Sequence, residues 1–149
     1  MANRTILLVE DDPNDEALVL RILAKINLAN EVVIARDGEE ALDYLFGRGG
    51  HAGRDTSVMP QVVFLDLKLP KVDGLEVLEQ LRAAPETRLL PVVLLTSANE
   101  RQDRRRGYAL GANSFVRKPV DFTEFADAVR QLALYWVLLN EDPPTGPTS

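Results

Sequence analysis

Five residues spread over more than a hundred positions have side chains that could act together: Asp11, Asp12, Asp66, Thr96 and Lys118. Each ends or follows a short apolar run. Asp11 and Asp12 come after Ile6-Leu7-Leu8-Val9, Asp66 after Val62-Val63-Phe64-Leu65, Thr96 after Val92-Val93-Leu94-Leu95, and Lys118 after Ser114 to Arg117. Three carboxylates in one shallow site repel one another unless a cation bridges them, and oxygen-only ligation with few protein ligands suits Mg²⁺ that keeps some of its water. A phosphoryl group would complete the set. The metal and Lys118 would neutralise its oxygens, Thr96 would donate a hydrogen bond, and Asp66 would be the nucleophile that forms an acyl phosphate. Taken one at a time the residues have plainer readings: Asp11-Asp12-Pro13 as a helix cap, Asp66 as a turn residue, Thr96-Ser97 as a cap, Lys118 as a solvated lysine. Only their joint placement at strand ends argues for a site.

That placement requires particular elements. The first apolar run reads as a strand buried on both faces, and from Asn14 the apolar positions Leu18, Val19, Ile22, Leu23 and Ile26 keep helical spacing. The rhythm recurs with Val32–Ala35 before Ala41, Leu42, Leu45 and Phe46, and with Val62–Leu65 before Leu75, Leu78 and Leu81. Pro91–Leu95 is then a fourth strand, followed by a helix from about Asn99 to Leu110, a strand at Ser114 to Arg117, and a helix from about Asp121 to Asn140. Five βα units predict an α/β, flavodoxin-like, doubly wound sheet of five parallel strands in the order 2-1-3-4-5 with five helices. Ligands of such sheets bind beyond the carboxyl ends of the strands, where the five residues fall. Separations of 54, 30 and 22 residues from Asp12 to Asp66, Thr96 and Lys118 in turn are one or two βα units each.

Composition narrows the chemistry. With no cysteine and one histidine, the 149-residue chain has no thiol nucleophile, no thiolate zinc or iron–sulfur site, and no histidine cluster for a transition metal. Its net charge of −6 opposes non-specific attraction to nucleic acid. The run Leu132 to Leu139 is too short for a membrane span and the N-terminus lacks the form of a signal peptide, so a cytoplasmic protein without nucleic-acid or membrane partners is expected. One domain over residues 1–140, with an extended loop at 47–60 and a flexible tail at 141–149, leaves no room for an output domain.

The run Ile6 to Asp12, then Asp66-Leu67-Lys68-Leu69-Pro70-Lys71-Val72-Asp73-Gly74, then Leu95-Thr96-Ser97-Ala98, then Lys118-Pro119 resembles the response regulator receiver domains of two-component systems from residue 4 to about 135. The resemblance implies that Asp66 accepts a phosphoryl group from the phosphohistidine of a sensor histidine kinase. It further implies that Asp12, Asp66 and the backbone carbonyl of Lys68 ligate Mg²⁺, with Asp11 acting largely through water, and that Thr96 and Lys118 contact the phosphoryl oxygens. Phe115 would be the aromatic that turns inward as Thr96 moves, altering the surface of helix four, strand five and helix five. The Lys118–Pro119 peptide would be cis, and Lys68 and Ala98 would tune the phosphoryl lifetime. The loop before the third strand and Leu134-Tyr135-Trp136 are similar to stand-alone regulators paired with bacterial phytochromes, which makes such a kinase the expected partner.

The last helix carries one apolar stripe, Phe122, Phe125, Val129, Leu132, Trp136 and Leu139, and its final turns are apolar on other faces as well. A homodimer through helix four, strand five and helix five is expected, with Tyr135, Trp136, Leu138 and Leu139 at its interface; folding back over the domain's own core is the alternative. Arg104-Arg105-Arg106 reads as a solvated or dimer-contacting face, the 47–60 stretch as a tolerated insertion, and His51 as a solvated loop residue without a role. Two other functions stay open, an aspartate-nucleophile phosphohydrolase and a phosphorylation-independent binding module. Such hydrolases need a second aspartate two residues after the nucleophile, where this chain has Lys68.

Overall fold

The computed structural model describes residues 5–26, 31–96, 101–118 and 122–141. Five strands, β1 (Thr5–Val9), β2 (Glu31–Ala35), β3 (Val62–Asp66), β4 (Val92–Thr96) and β5 (Ser114–Arg117), form one parallel sheet in the order β2-β1-β3-β4-β5. Helices α1 (Pro13–Ile26), α2 (Gly38–Phe46), α3 (Gly74–Ala83), α4 (Arg101–Ala109) and α5 (Phe122–Leu134) alternate with them. This is the flavodoxin-like order that the βα rhythm predicts. The start of α4 near Asn99, Ala98, the Lys118–Pro119 peptide and the tail beyond Glu141 lie outside the described residues.

Strand alternation divides the core in two. Leu7, Val9, Val63, Leu65, Val92 and Leu94 pack with Leu42, Leu45, Leu75 and Leu78 on the α2/α3 side, where half-buried Phe115 and Leu110 join them. Ile6, Leu8, Val62, Phe64, Val93 and Leu95 pack with Val19, Ile22, Leu23, Phe125 and Val129 of α1 and α5. β3 and β4, central and covered on both faces, are buried at every position, which is why they read as unbroken apolar runs.

Helix starts are set by carboxylates. Asp37 accepts the Glu40 N–H at 2.7 Å, Asp73 accepts the Glu76 N–H at 3.0 Å, and Asp12 accepts the N–H groups of Asn14 and Asp15 at 2.8 and 3.3 Å. The stretch 47–60 is tied down by Arg54, which donates to Tyr44 O (2.5 Å), Leu45 O (3.4 Å) and Val58 O (2.8 Å) while its guanidinium lies 4.1 Å from the centre of the Tyr44 ring. α2 has no basic residue in its own last turn, so Arg54 supplies the donors for its terminal carbonyls. His51 is not the solvated residue expected. It is half-buried, edge-on to Tyr44 at 5.3 Å, with Nε2 3.7 Å from Glu40 Oε2.

The last helix also differs from expectation. Its buried residues are Phe125, Val129, Ala133 and Val137, one every four positions, whereas Phe122 and Leu139 are exposed. A wider π-helical turn at Tyr135–Leu139, closed by the Asn140 N–H on Tyr135 O at 2.7 Å, ends the helix and turns Leu138 and Leu139 away from the core. Trp136 stays half-buried against the α1/α5 core, and its Nε1 is buried with no hydrogen-bond partner among the described residues.

Candidate functional site

Side chains alternate faces along a strand, so the core pattern fixes which polar residues can meet at the strand ends. β1 pairs in parallel with β3, Leu8 opposite Phe64 and Val9 opposite Leu65. Glu10 continues β1, its N–H bonded to Ala35 O at 2.9 Å, and falls on the side of Ile6 and Leu8. Asp66 follows Val62 and Phe64 on that same side, and Lys118 follows Val116, with its N–H on Thr96 O at 2.7 Å. Glu10, Asp66 and Lys118 therefore converge under α1.

All three are buried. Lys118 Nζ lies 2.9 Å from Asp66 Oδ2, 2.9 Å from Asp15 Oδ2 and 2.5 Å from Glu10 Oε1. The contact with Glu10 is a charge contact without hydrogen-bond geometry, and the Asp12 N–H donates to the other Glu10 oxygen at 3.2 Å. Burial pushes the Glu10 carboxyl up to about 8; the negative charge of Asp66 adds to this and the ammonium opposes it. Burial alone would lower the pKa of Lys118, but Glu10, Asp66 and Asp15 outweigh it and hold the ammonium above its ordinary value. Protons on this lysine are fixed at any physiological pH.

Carboxylate oxygens of Glu10, Asp11 and Asp66 lie within 4.8 Å of one another, and of the three only Asp11 is exposed. Glu10, Asp15 and Asp66 share one ammonium, and Asp11 stands beside them without a contact to it among the described residues. The donor set is all oxygen, negative in excess and open to solvent on the Asp11 side, so it fits a hard divalent cation. Asp12 is outside the group: its carboxylate is exposed and caps α1. The acid that joins Asp11 and Asp66 is Glu10, which apolar-run reading passed over because it sits at the end of the run; counting by twos from Ile6 and Leu8 points to it. No comparable signal marks Asp15.

The Lys68 N–H reaches Asp66 Oδ1 at 3.3 Å. The loop from Asp66 to α3 is tight, with the Gly74 N–H on Leu67 O at 3.0 Å. Thr96 is fully buried at the end of β4 and follows Val92 and Leu94, so it faces the α2/α3 side, as does Phe115 on the neighbouring β5. Phe115 is half-buried, its ring 6.4 Å from that of exposed Tyr108.

The family model described as the response regulator receiver domain matches residues 6–130. This chain belongs to that family. Its relatives include the probable methanogenesis regulatory protein FilR2 of Methanothrix harundinacea, 40% identical over 139 residues that cover 93% of this chain and 86% of that protein. Response regulator Rcp1 of Synechocystis sp. is 33% identical over 134 residues, 90% of this chain and 89% of Rcp1, and the Mn²⁺-bound form of Rcp1 superposes with a TM-score of 0.85 over 95% of this chain and 99% of that one. The bacteriophytochrome response regulator AtBRR is 54% identical, with a TM-score of 0.72 over 95% of this chain and all of AtBRR. The chain is thus a response regulator receiver, and the relatives it matches are response regulators rather than classical enzymes. Among the described residues no helix is long and apolar enough to cross a membrane.

Proposed function

We propose that Asp66 is the phosphoacceptor of this receiver. A carboxylate oxygen of Asp66 bonds to the phosphorus of a kinase phosphohistidine as the P–N bond breaks, and the electron pair of that bond returns to the imidazole nitrogen. The observation that carries this reading is a buried aspartate at the carboxyl edge of the central strand, held at 2.9 Å by a buried lysine and flanked by two further acids. Asp11 and Asp66, with Glu10 beside them and the Lys68 carbonyl, would hold Mg²⁺; Asp12 is left out because it caps α1. When bound, the cation offsets the charge of the phosphoryl oxygens. Lys118 would transfer one of its N–H bonds from Asp66 to a phosphoryl oxygen, and the Thr96 hydroxyl would turn toward another. Movement of Thr96 frees space on the α2/α3 side, where Phe115 already packs, and so alters the surface of α4, β5 and α5.

The donor is a cytoplasmic sensor histidine kinase, and the 54% identity to AtBRR supports a bacterial phytochrome as its sensor. Exposed Phe122, Tyr135, Leu138 and Leu139 support a homodimer through α4, β5 and α5. Light scattering at micromolar concentration should give a dimer for wild type and a monomer for Leu139→Arg; monomers for both would refute the dimer.

Incubation with Mg²⁺ and acetyl phosphate tests the phosphoacceptor. Intact mass should rise by one phosphoryl group in wild type and stay unchanged in Asp66→Asn. No Asp66-dependent adduct overturns the proposal in favour of a binding module, and sustained turnover of phosphate esters would instead mark a hydrolase.

A further inference from the structure

Lys118 has three N–H donors and, among the described residues, three carboxylate neighbours, of which two, Glu10 and Asp66, come from the strand ends. The third, Asp15, belongs to the first turn of α1 and is part-exposed, at 30% for its side chain. The protein could leave that side of the ammonium to water. Instead it spends a charge there, at 2.9 Å and with hydrogen-bond geometry. Asp15 Oδ2 and Asp66 Oδ2 touch the same nitrogen, so they are at most twice 2.9 Å apart.

We infer that Asp15 is a positioning residue for Lys118 that shortens the life of the phosphoryl group on Asp66. The inference rests on the reading of Asp66 as phosphoacceptor. A phosphoryl group on Asp66 brings a second anion against the same ammonium, and Asp15 acts on it in two ways. It keeps part of the lysine's charge for itself, and it repels the phosphoryl oxygens across a distance of about 6 Å. Hydrolysis relieves that repulsion. Water oxygen bonds to phosphorus, the P–O bond to Asp66 breaks with its electron pair leaving on the carboxylate, and the water protons pass to phosphate and solvent. In the loose transition state of such a step charge drains from the phosphoryl oxygens toward the leaving carboxylate, which Lys118 is placed to receive. A carboxylate at Asp15 thus destabilises the acyl phosphate more than its transition state for hydrolysis. It also fixes where the ammonium sits, because a lysine bonded to Asp15 and held by the charge of Glu10 can turn the N–H that it gives Asp66 toward phosphate without moving its nitrogen.

The test compares wild type, Asp15→Asn and Asp15→Glu, phosphorylated with acetyl phosphate at saturating Mg²⁺. The decay of the acyl phosphate is followed after the donor is removed, and affinity for beryllofluoride is measured on the same proteins. Asp15→Asn keeps the shape and an acceptor oxygen but removes the charge. Its acyl phosphate should last about 3- to 10-fold longer and beryllofluoride should bind tighter by a similar factor, the effect of one unit charge at about 6 Å in a site between water and a partly desolvated surface. Asp15→Glu should return both toward wild type, and the ratio between Asn variant and wild type should shrink as salt is raised. A residue that merely braced α1 would move the thermal midpoint and show neither the rescue nor the salt dependence. Should Asp15→Asn fail to fold, Asp15→Ser serves, since serine suits the first turn of a helix. An unchanged or shortened lifetime in the uncharged variant overturns the inference. Absence of any adduct in wild type overturns the phosphoacceptor reading itself, and the two failures are distinct.

Discussion

Gly74→Ala separates propensity from packing by the sign of its effect. Gly74 opens α3, and alanine is favoured over glycine inside helices by about 1 kcal/mol, so a reading by propensity expects the variant to gain stability. A Cβ at this position, however, would stand 2.3 Å from Asp66 O, 2.7 Å from Leu67 Cα and 3.1 Å from Asp66 C. All three are backbone atoms of Asp66 and Leu67, where β3 runs into its loop. Relief to ordinary contact needs about 1 Å of movement between the end of β3 and the start of α3, in a core packed as densely as a crystal. Overpacking that shifts backbone costs about 1–3 kcal/mol, and with a backbone oxygen this close the top of that range applies, so we expect a net loss of about 2 kcal/mol after the propensity gain of about 1 kcal/mol. In urea this is a lower midpoint at unchanged slope, and on heating it is a Tm lowered by about 4–8 °C for a chain of this length. Gly107 is the control. A Cβ there meets Leu94 Cδ1 at 2.6 Å and Leu75 Cδ2 at 4.0 Å, both ends of side chains that can turn, so Gly107→Ala should cost less than Gly74→Ala. Because the displaced atoms carry Asp66, Gly74→Ala should also slow phosphorylation by acetyl phosphate under conditions where the variant is still folded. A Gly74→Ala protein as stable as wild type would refute the reasoning.

Arg82 donates to the carbonyls of Leu90 (2.8 Å), Arg88 (3.1 Å) and Gly111 (2.8 and 3.0 Å) and to Asn113 Oδ1 (3.1 Å), joining the α3–β4 and α4–β5 turns. Arg82→Ala should lower stability by about 2–4 kcal/mol in urea titrations, and Arg82→Lys should recover little because an ammonium cannot span this fork. Arg54→Ala should free the 47–60 stretch, seen as faster limited proteolysis between Gly47 and Pro60, while the urea midpoint falls by about 1–2 kcal/mol in equivalent stability. Glu10 gives a pH dependence in EDTA: its carboxyl releases its proton near 4.5 when unfolded and at about 8 when folded, so its contribution to stability is complete below 4.5 and lost as pH rises through about 8. Glu10→Gln should flatten the difference by up to about 1.4 kcal/mol per pH unit across that window, and an unchanged profile would contradict the burial of Glu10.

The legible parts of this protein are those set by one element at a time. Apolar runs and helical spacing give five strands, five helices and their order, because each run needs covering whatever lies beside it. The site depends on relations between elements, and there the sequence is ambiguous in a specific way. Glu10, Asp11 and Asp12 are three acids in a row, and hydropathy cannot say which of them faces Asp66. The pairing of Leu8 with Phe64 decides it: Glu10 and Asp66 inherit the same face, Asp11 sits between them at the open edge, and Asp12 has already entered the helix turn that it caps. The same alternation sends Thr96 and Phe115 to the opposite face from Lys118, although Thr96 ends β4 and the other two belong to β5 or follow it directly. A site divided in this way has its charge chemistry under α1 and α5 and its hydroxyl and aromatic under α2 and α3, with the sheet edge between. A change of charge at Asp66 can reach the second core only through residues that end strands at that edge, and Thr96 is the described residue that does so from the strand next to β3. The coupling proposed between phosphoryl chemistry and surface would therefore follow from strand parity, and no motif read along the chain could have displayed it.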